Sequence, residues 1–506
     1  MKTVFCATYE GMDAKVVDIE VTLTKGLPSF SVVGDVSPSI KVDAKDRIKS
    51  ALLSSDFKFP PKRITVNLAP SDDFRKHGSQ FDLGIATTII LNTDEEDISS
   101  WFIFGELGLD GVVKENNQLY PLVLSLANQQ LIKKAIVPYE SLSKLSKIPN
   151  VEFYGVKTLK ESVELLKNQN IATPSVAETK IQYPFYEIDT QKYYYLKEYD
   201  EDFLDVRGQE VAKRAALIAA VGMHNIIFEG SPGCGKSMIS KRMRYILPPM
   251  REYEILDVAK LQVLDGREPT FKPLRPYRSP HHSSTSASIF GGGSHRAIIG
   301  EVGLAHGGIL MFDELPHFSK KVLESLREPL EDKKIRISRV NSKVEYPADF
   351  LFVGAMNPCP CGNLLDENKE CRCNEVEIKR YKNTLSDPFL DRIDISVVMQ
   401  NVSSQDKPTL SSKQMHKRVL EAHIFAQSRG QGCFNAKIDD SDIDRFCAMQ
   451  EDAKAVLDVA IKRFALSFRS IKKVQKVARS IADLNENELI QKADILESLS
   501  YRRRES

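Results

Sequence analysis

The chain has 506 residues, too many for one ordinary core, so two to four domains are expected. Apolar residues make up 42% of it and charged residues 27%, with a formal net charge of +1. That balance excludes disordered and fibrous classes and leaves any nucleic-acid binding to local basic patches.

Residues 1–168 read as an α/β domain. VVDIEVTL, SFSVVG and KRITVNLA are strand-like, while KDRIKSALLSS and FDLGIATTIIL have helical patterns. FIFGELGLDGVV reads as a hairpin turning at Asp110-Gly111, followed by a helix from Pro121 to Gln130 and a strand at KKAIVPY. Residues 169–200 are rich in Pro, Thr and Tyr without periodicity and are expected to be a linker. Residues 201–405 alternate helix and short apolar strands (HNIIFEG, GGILMFDEL, DFLFVGAMNP), as in a parallel sheet covered on both faces. Residues 406–506 are helical, and FRSIKKVQKVARSIADL carries Ile471, Val474, Ala478, Ile481 and Leu484 on one face. No apolar stretch is long enough to span a bilayer, and the N-terminus lacks the blocks of a signal peptide. A cytoplasmic location with reduced thiols is therefore expected.

The segment Gly230, Ser231, Pro232, Gly233, Cys234, Gly235, Lys236, Ser237 fits the P-loop pattern G-x-x-x-x-G-K-[ST], between a strand and a helix. Its backbone N–H groups curl around phosphate oxygens, Lys236 offers charge to the β/γ-phosphates, and Ser237 offers a hydroxyl to Mg²⁺. About 75 residues on, an apolar strand ends in Asp313 and Glu314, the first suited to hold Mg²⁺ and the second to activate water. Asn357 ends a third strand, suited to bond the γ-phosphate or the water, although an Asn before Pro is by itself a turn residue. Arg392 of LSDPFLDRID suits charge neutralisation across a subunit boundary, against the default of a surface pair with Asp391 or Asp394.

These segments, with GLPSFSVVG, RITVNLAP, GSQFDLGIA, GELGLDG, RPYRSPHHSS, FGGGSHRAIIGEVGLAHGGILMFDELPHF, LREPLED, IRISR, AMNPCPCG, LSFR and ARSIADL, resemble the ComM/YifB family of magnesium-chelatase-like AAA+ ATPases over nearly the full length. The resemblance implies an α/β fold with three parts: a Lon-protease-like N-terminal domain, an AAA+ core with a parallel sheet, and a C-terminal helical lid. It implies Lys236 and Ser237 as the Walker A pair, Asp313 and Glu314 as the Walker B pair, Asn357 as sensor 1 and Arg392 as arginine finger. Arg469 of LSFR is similar to the sensor 2 arginine, reaching the γ-phosphate from the lid. It further implies ATP and Mg²⁺, a homo-hexameric ring, and a DNA helicase of the branch-migration kind used in natural transformation. A chelatase-type remodeller acting on a protein, or a scaffold that uses ATP as an assembly switch, are the alternatives. The sequence departs from the family where Ile299-Gly300-Glu301 replaces PGE and where Asp387 replaces Gly. The lid helix also carries Lys472, Lys473 and Lys476 in a stretch richer in Arg in the family. In HGSQFDLG the position matching the Lon nucleophile is Gln80, with Ser79 one place off, and no lysine stands where the base belongs, so the domain reads as non-catalytic.

Cys359-Pro-Cys361 and, nine residues on, Cys371-Arg-Cys373 form two C-x-C pairs, a candidate structural Zn²⁺ site of four thiolates. A reduced loop and an iron–sulfur site are the alternatives. For DNA, EDKKIRISRVNSKVEYPADF reads as a basic hairpin with Lys333, Lys334, Arg336, Arg339 and Lys343, of which Arg336, Arg339 and Lys343 are the candidate contacts. A second basic stripe is expected on the lid helix through Arg469, Lys472, Lys473, Lys476 and Arg479. Solvated charged faces are the alternative for both. His281 and His282 are expected to serve turn or packing roles.

Overall fold

The structure is a computed structural model that describes all residues except 1, 11–12, 72–73, 95–96, 169–171, 176–180, 293–297, 340–341, 367, 404 and 503–506. The described residues fall into two units, one from 1–182 with 259–271 and 340–344, the other from 183–258, 272–339 and 345–506.

In the first unit, alternation along Asp13–Thr24 buries Val17, Ile19 and Val21 on one face, as a half-buried strand requires. It pairs antiparallel with a further strand, Lys2–Glu10, Val4 opposite Ile19. The resulting seven-stranded sheet runs in the order Ser29–Val33, Arg63–Ala69, Asp13–Thr24, Lys2–Glu10, Phe102–Ile103, Lys134–Pro138, Glu152–Val156. The expected helices occur at Pro38–Ser54, Asp82–Ile90 and Leu119–Asn128. The expected hairpin is shorter than its sequence suggested. Glu106–Leu107 pairs with Val113–Lys114, while Phe102–Ile103 joins the large sheet. Ser79 donates to the Glu106 carboxylate, and the Gln80 amide to the carbonyls of Ala7 and His77 at 3.1 and 2.9 Å. Neither arrangement is that of a nucleophile beside a lysine base.

The second unit is built on a five-stranded, all-parallel sheet in the order Tyr277–Arg278, Ile309–Phe312, Leu351–Met356, Ile226–Gly230, Ile395–Met399. Every residue of Ile309–Phe312 and Leu351–Met356 is buried, which is why these strands read as unbroken apolar runs. The helices Ser412–Ser428 and Phe468–Leu484 pack against the sheet, and Phe468–Leu484 also gives Val474, Ala478 and Ala482 to a second core with Phe446, Leu457 and Ile495. Met415, Val419, Ala422, Val477 and Ile481 share one core with the sheet residues Ile226, Phe228, Leu351 and Val353. The expected linker is partly folded. Phe185–Ile188 and Gln191–Tyr194 form a hairpin that adds Met250–Arg251 as a third strand. Its turn residues Asp189 and Thr190 both have positive φ (47° and 66°), the conformation usually announced by Asn-Gly, so sequence gave no warning.

The basic stripe expected on the lid helix does not exist as a DNA-facing surface. Arg479 is fully buried, donating from Nε to Asp483 Oδ1 at 3.0 Å and from Nη1 to the Glu488 carbonyl at 2.8 Å. Lys473 donates to the Asp391 and Ile393 carbonyls, and Lys472 pairs with Asp440 at 2.5 Å. Lys473 ties the lid helix to the core, whereas Arg479 and Lys472 bind groups within the lid itself, because a buried charge persists only when paired and hydrogen-bonded. Arg479→Ala should therefore lower folding stability by about 3–5 kcal/mol, since it takes one cation from the buried Asp483, leaving it Arg429 and Asn435, and removes the donor from two carbonyls. Lys472→Ala, which frees only a largely exposed Asp440, should shift the denaturation midpoint far less.

Candidate ATP site and thiol cluster

In a parallel sheet all strands end on one side, and ligands gather there where strand order reverses. The P-loop strand Ile226–Gly230 lies between Leu351–Met356 and Ile395–Met399, with Ile309–Phe312 one place further. Glu229 pairs with Met356, and Phe312 with Gly354. Gly230, Asn357 and Asp313 therefore emerge side by side at the carboxyl end.

Gly233 and Gly235 adopt φ of 83° and 97°, and a Cβ built on either would meet nothing within 4 Å. Their requirement is conformational, a left-handed backbone that turns the N–H groups inward ahead of the helix Lys236–Met243. Lys236 donates to the Gly230 carbonyl at 2.5 Å, the Ser231 carbonyl at 3.0 Å and Asn357 Oδ1 at 3.1 Å, so the P-loop lysine and the expected sensor asparagine meet directly. Ser237 donates to Asp313 Oδ2 at 2.7 Å. The hydroxyl and carboxylate expected to hold Mg²⁺ are thus adjacent, a hard oxygen pair that fits that ion. Glu314 also has positive φ (51°), which costs a non-glycine residue about 1–2 kcal/mol. Its N–H donates to Asp313 Oδ1 at 2.9 Å. Such strain in a carboxylate beside a phosphate cradle is of the kind held at functional sites.

Two partners at this site went unrecognised in the sequence. His282 Nδ1 lies 3.5 Å from Glu314 Oε2, so the RSPHHSS loop reaches the carboxylate expected to activate water. Only the order of the strands, with Tyr277–Arg278 beside Ile309–Phe312, brings it there. In the same loop Arg278 grips Glu301, the glutamate of Ile299-Gly300-Glu301, with two bonds of 2.5 and 2.9 Å. The second partner is Glu331 of LREPLED. It accepts from Arg392 and, at 3.1 Å, from Arg469, so the alternative of a surface pair between Arg392 and Asp391 or Asp394 is not what forms. Burial alone would raise the Glu331 carboxyl, but the two guanidiniums outweigh it and hold it below its ordinary value.

Arg392 and Arg469 thus stand together, but not beside their own P-loop. Ile395 pairs with Ile226 and Met399 with Gly230, so Arg392 precedes the amino end of its strand. The length of the strand, roughly 13 Å at ~3.3 Å per residue, separates that end from the phosphate cradle. Among the described residues Arg392 Nε and Ser231 Oγ are buried without a hydrogen-bond partner, groups that native structures rarely leave unpaired. Asp394, two residues on, is mostly buried, with 13% of its side chain exposed. Burial raises its carboxyl, but Lys473 and His224 together hold it below its ordinary value.

The four cysteines are brought together. The sulfurs of Cys359, Cys361, Cys371 and Cys373 lie within 4.8 Å of one another. Of the basic hairpin, strands Lys334–Arg339 and Ser342–Pro347 form as expected, and Glu345 pairs with Lys334 at 2.7 Å and Arg336 at 3.1 Å. The side chains of Arg339 and Lys343 lie outside the described residues.

Three family profiles match in order: "Subunit ChlI of Mg-chelatase" over residues 19–141, "Magnesium chelatase, subunit ChlI" over 202–407, and "Magnesium chelatase, subunit ChlI C-terminal" over 409–502. The chain is 36% identical to competence protein ComM of Haemophilus influenzae, covering 97% of this chain and 95% of that protein. It is 33% identical to YifB of Salmonella typhimurium with the same coverage. The chain belongs to the ComM/YifB family of magnesium-chelatase-like AAA+ proteins. It is accordingly an ATPase of this family, with ATP and Mg²⁺ as the ligands the family implies. A more distant similarity, 25% identity over 42% of the chain, links this ComM/YifB member to Lon protease 2 of Bacillus subtilis. No helix among the described residues is long and apolar enough to cross a membrane.

Lys236→Ala should abolish binding of a fluorescent ATP analogue. Glu314→Gln should retain that binding while phosphate release falls by about 10²-fold or more, because only the base for the attacking water is removed.

Proposed function

We propose that the chain is an ATP-driven DNA motor that works as a homo-hexameric ring, of the branch-migration kind, with each ATP held between two subunits. The carrying observation is the division of the catalytic residues between the two ends of one parallel sheet. Lys236, Ser237, Asp313, Glu314 and Asn357 stand at the carboxyl end, and Arg392 with Arg469 toward the amino end. A single chain offers half a site, and a neighbour supplies the rest. Lys236 binds the β/γ-phosphates, and Glu314 accepts the proton of the attacking water while Asn357 orients the water or the γ-phosphate. Ser237 and Asp313 would hold Mg²⁺, which supplies charge neutralisation on the phosphates when bound. Arg392 and Arg469 of the adjacent subunit neutralise charge developing on the transferring phosphate. Arg469 is thereby moved from the own-site role its motif suggested to the same trans surface as Arg392.

Action on DNA is supported by the near full-length similarity to a competence protein and by the basic hairpin around residues 334–347. Arg336, Arg339 and Lys343 are the proposed phosphate contacts. The profile matches to a magnesium chelatase subunit favour the second reading, a remodeller of a protein partner.

Mixing separates cis from trans. Lys236→Ala and Arg392→Ala chains should each be inactive alone and recover ATPase activity when combined, since an intact P-loop then meets an intact arginine. If both arginines served their own P-loop, mixing would restore nothing. Forked or Holliday-junction DNA should raise the ATPase rate of the native chain. An unchanged rate, with no DNA binding at low salt, would sink the motor reading in favour of the remodeller.

A further inference from the structure

The thiol cluster is fastened to the ATP site on three sides. It begins two residues after Asn357, the side chain that meets Lys236 at 3.1 Å. It ends at the capping residue Asn374 of the helix Glu375–Lys382, whose Lys382 pairs with Glu229 of the P-loop strand at 3.2 Å. Between these anchors, Gly362 donates its N–H to the Cys359 carbonyl at 3.0 Å and takes φ of 81°. A Cβ on Gly362 would lie 2.6 Å from Cδ and 2.8 Å from Cγ of Pro232. The turn Cys359-Pro360-Cys361-Gly362 therefore lies directly against the P-loop, and only glycine permits the approach.

The sulfurs are arranged for one tetrahedral ion. The Cys359–Cys361 distance is 3.4 Å, and Cys371 lies 3.7 Å from both. A tetrahedron with metal–sulfur bonds of ~2.3 Å has edges of ~3.8 Å. The Cys361 N–H donates to Cys373 Sγ at 3.4 Å, the kind of backbone bond that supports a ligating thiolate. Cys359 is buried and the other three are partly so, and none forms a disulfide.

We propose that these four cysteines bind one Zn²⁺ and that the closed loop braces the P-loop through Gly362 and Pro232, so that ATP affinity depends on zinc. Binding converts four thiols to four thiolates and releases four protons, with no change of oxidation state. Without the ion, the 15 residues from Cys359 to Cys373 keep local hydrogen bonds such as Gly362 N–H to the Cys359 carbonyl but lose the link that draws the two C-x-C pairs together, and the surface that seats Pro232 loosens. The inference rests on the reading of Gly230–Ser237 as the ATP site.

The test uses the full-length chain, stripped with a chelator and reloaded with Zn²⁺, or with Co²⁺ as a spectroscopic probe. The expected results are one ion per chain, a tetrahedral cobalt–thiolate spectrum, and a fluorescent ATP analogue bound about tenfold more weakly by the stripped protein and restored by zinc. Gly362→Ala is expected to keep the ion and still lose affinity, because the added methyl displaces Pro232. Cys371→Ser with Cys373→Ser is expected to lose both. Equal ATP affinity with and without zinc overturns the coupling while leaving the ATP site intact. Failure to take up the ion, or an iron–sulfur chromophore on the isolated protein, overturns the zinc site. If the zinc-loaded and stripped forms both fail to bind the analogue, the ATP site itself is misread, and this inference falls with it.

Discussion

A parallel sheet has two chemically different ends, and the arrangement of this protein follows from that. Every strand of the five-stranded sheet delivers its last residue to the same side. Gly230, Asp313 and Asn357 thus converge without any loop having to travel, although they are spread over more than a hundred residues of chain. The same geometry forbids a residue placed just before a strand from reaching that side. Arg392 has no route to its own P-loop short of the length of the sheet, so a ring of subunits is a direct way to complete the site.

The packing around the sheet serves this division. The lid helix Phe468–Leu484 is held by buried polar contacts, to the core and within the lid, as well as by its apolar faces. His224 meets Ser480 at 2.8 Å, Asn435 meets Asp483 at 2.7 Å, and Arg429 meets Asp483 at 2.8 Å. In a medium of low dielectric such a network has one satisfied geometry and penalises others steeply. Nearer Arg469, Lys473 donates to the Ile393 carbonyl at 3.0 Å, which ties that end of the helix to the segment carrying Arg392, although they are far apart in sequence.

Much of this was legible in the sequence, and the reasons for success and failure are physical. The P-loop and the apolar strands ending in acids were readable because phosphate binding and burial on both faces each demand a narrow set of residues. The cysteine cluster was readable because few other roles place four thiols so close together. The hairpin at Phe185–Tyr194 was missed because Asp-Thr adopts a turn usually given to Asn-Gly. The lid helix lysines and Arg479 were misread as an outward stripe because periodicity places charges on a face without saying what that face meets. His282 and Glu331 were missed for a related reason. Their partners Glu314 and Arg392 are neighbours only through strand order and tertiary packing, which a linear pattern does not contain.

The clasp of Glu331 on two arginines has a thermodynamic meaning for assembly. In the isolated subunit both guanidiniums already have an anion, so the largely buried Arg392 is not stranded and the half-exposed Arg469 is paired as well. In the proposed ring, transferring them to a neighbour's triphosphate exchanges one anionic partner for another and creates no new buried charge. An exchange of like for like has a small net electrostatic term, and it is therefore easily reversed. A neighbour holding ATP offers the competing anion and a neighbour without it does not. The seam between two subunits would then tighten or relax with the nucleotide on one side of it, giving each subunit a reading of its neighbour's state.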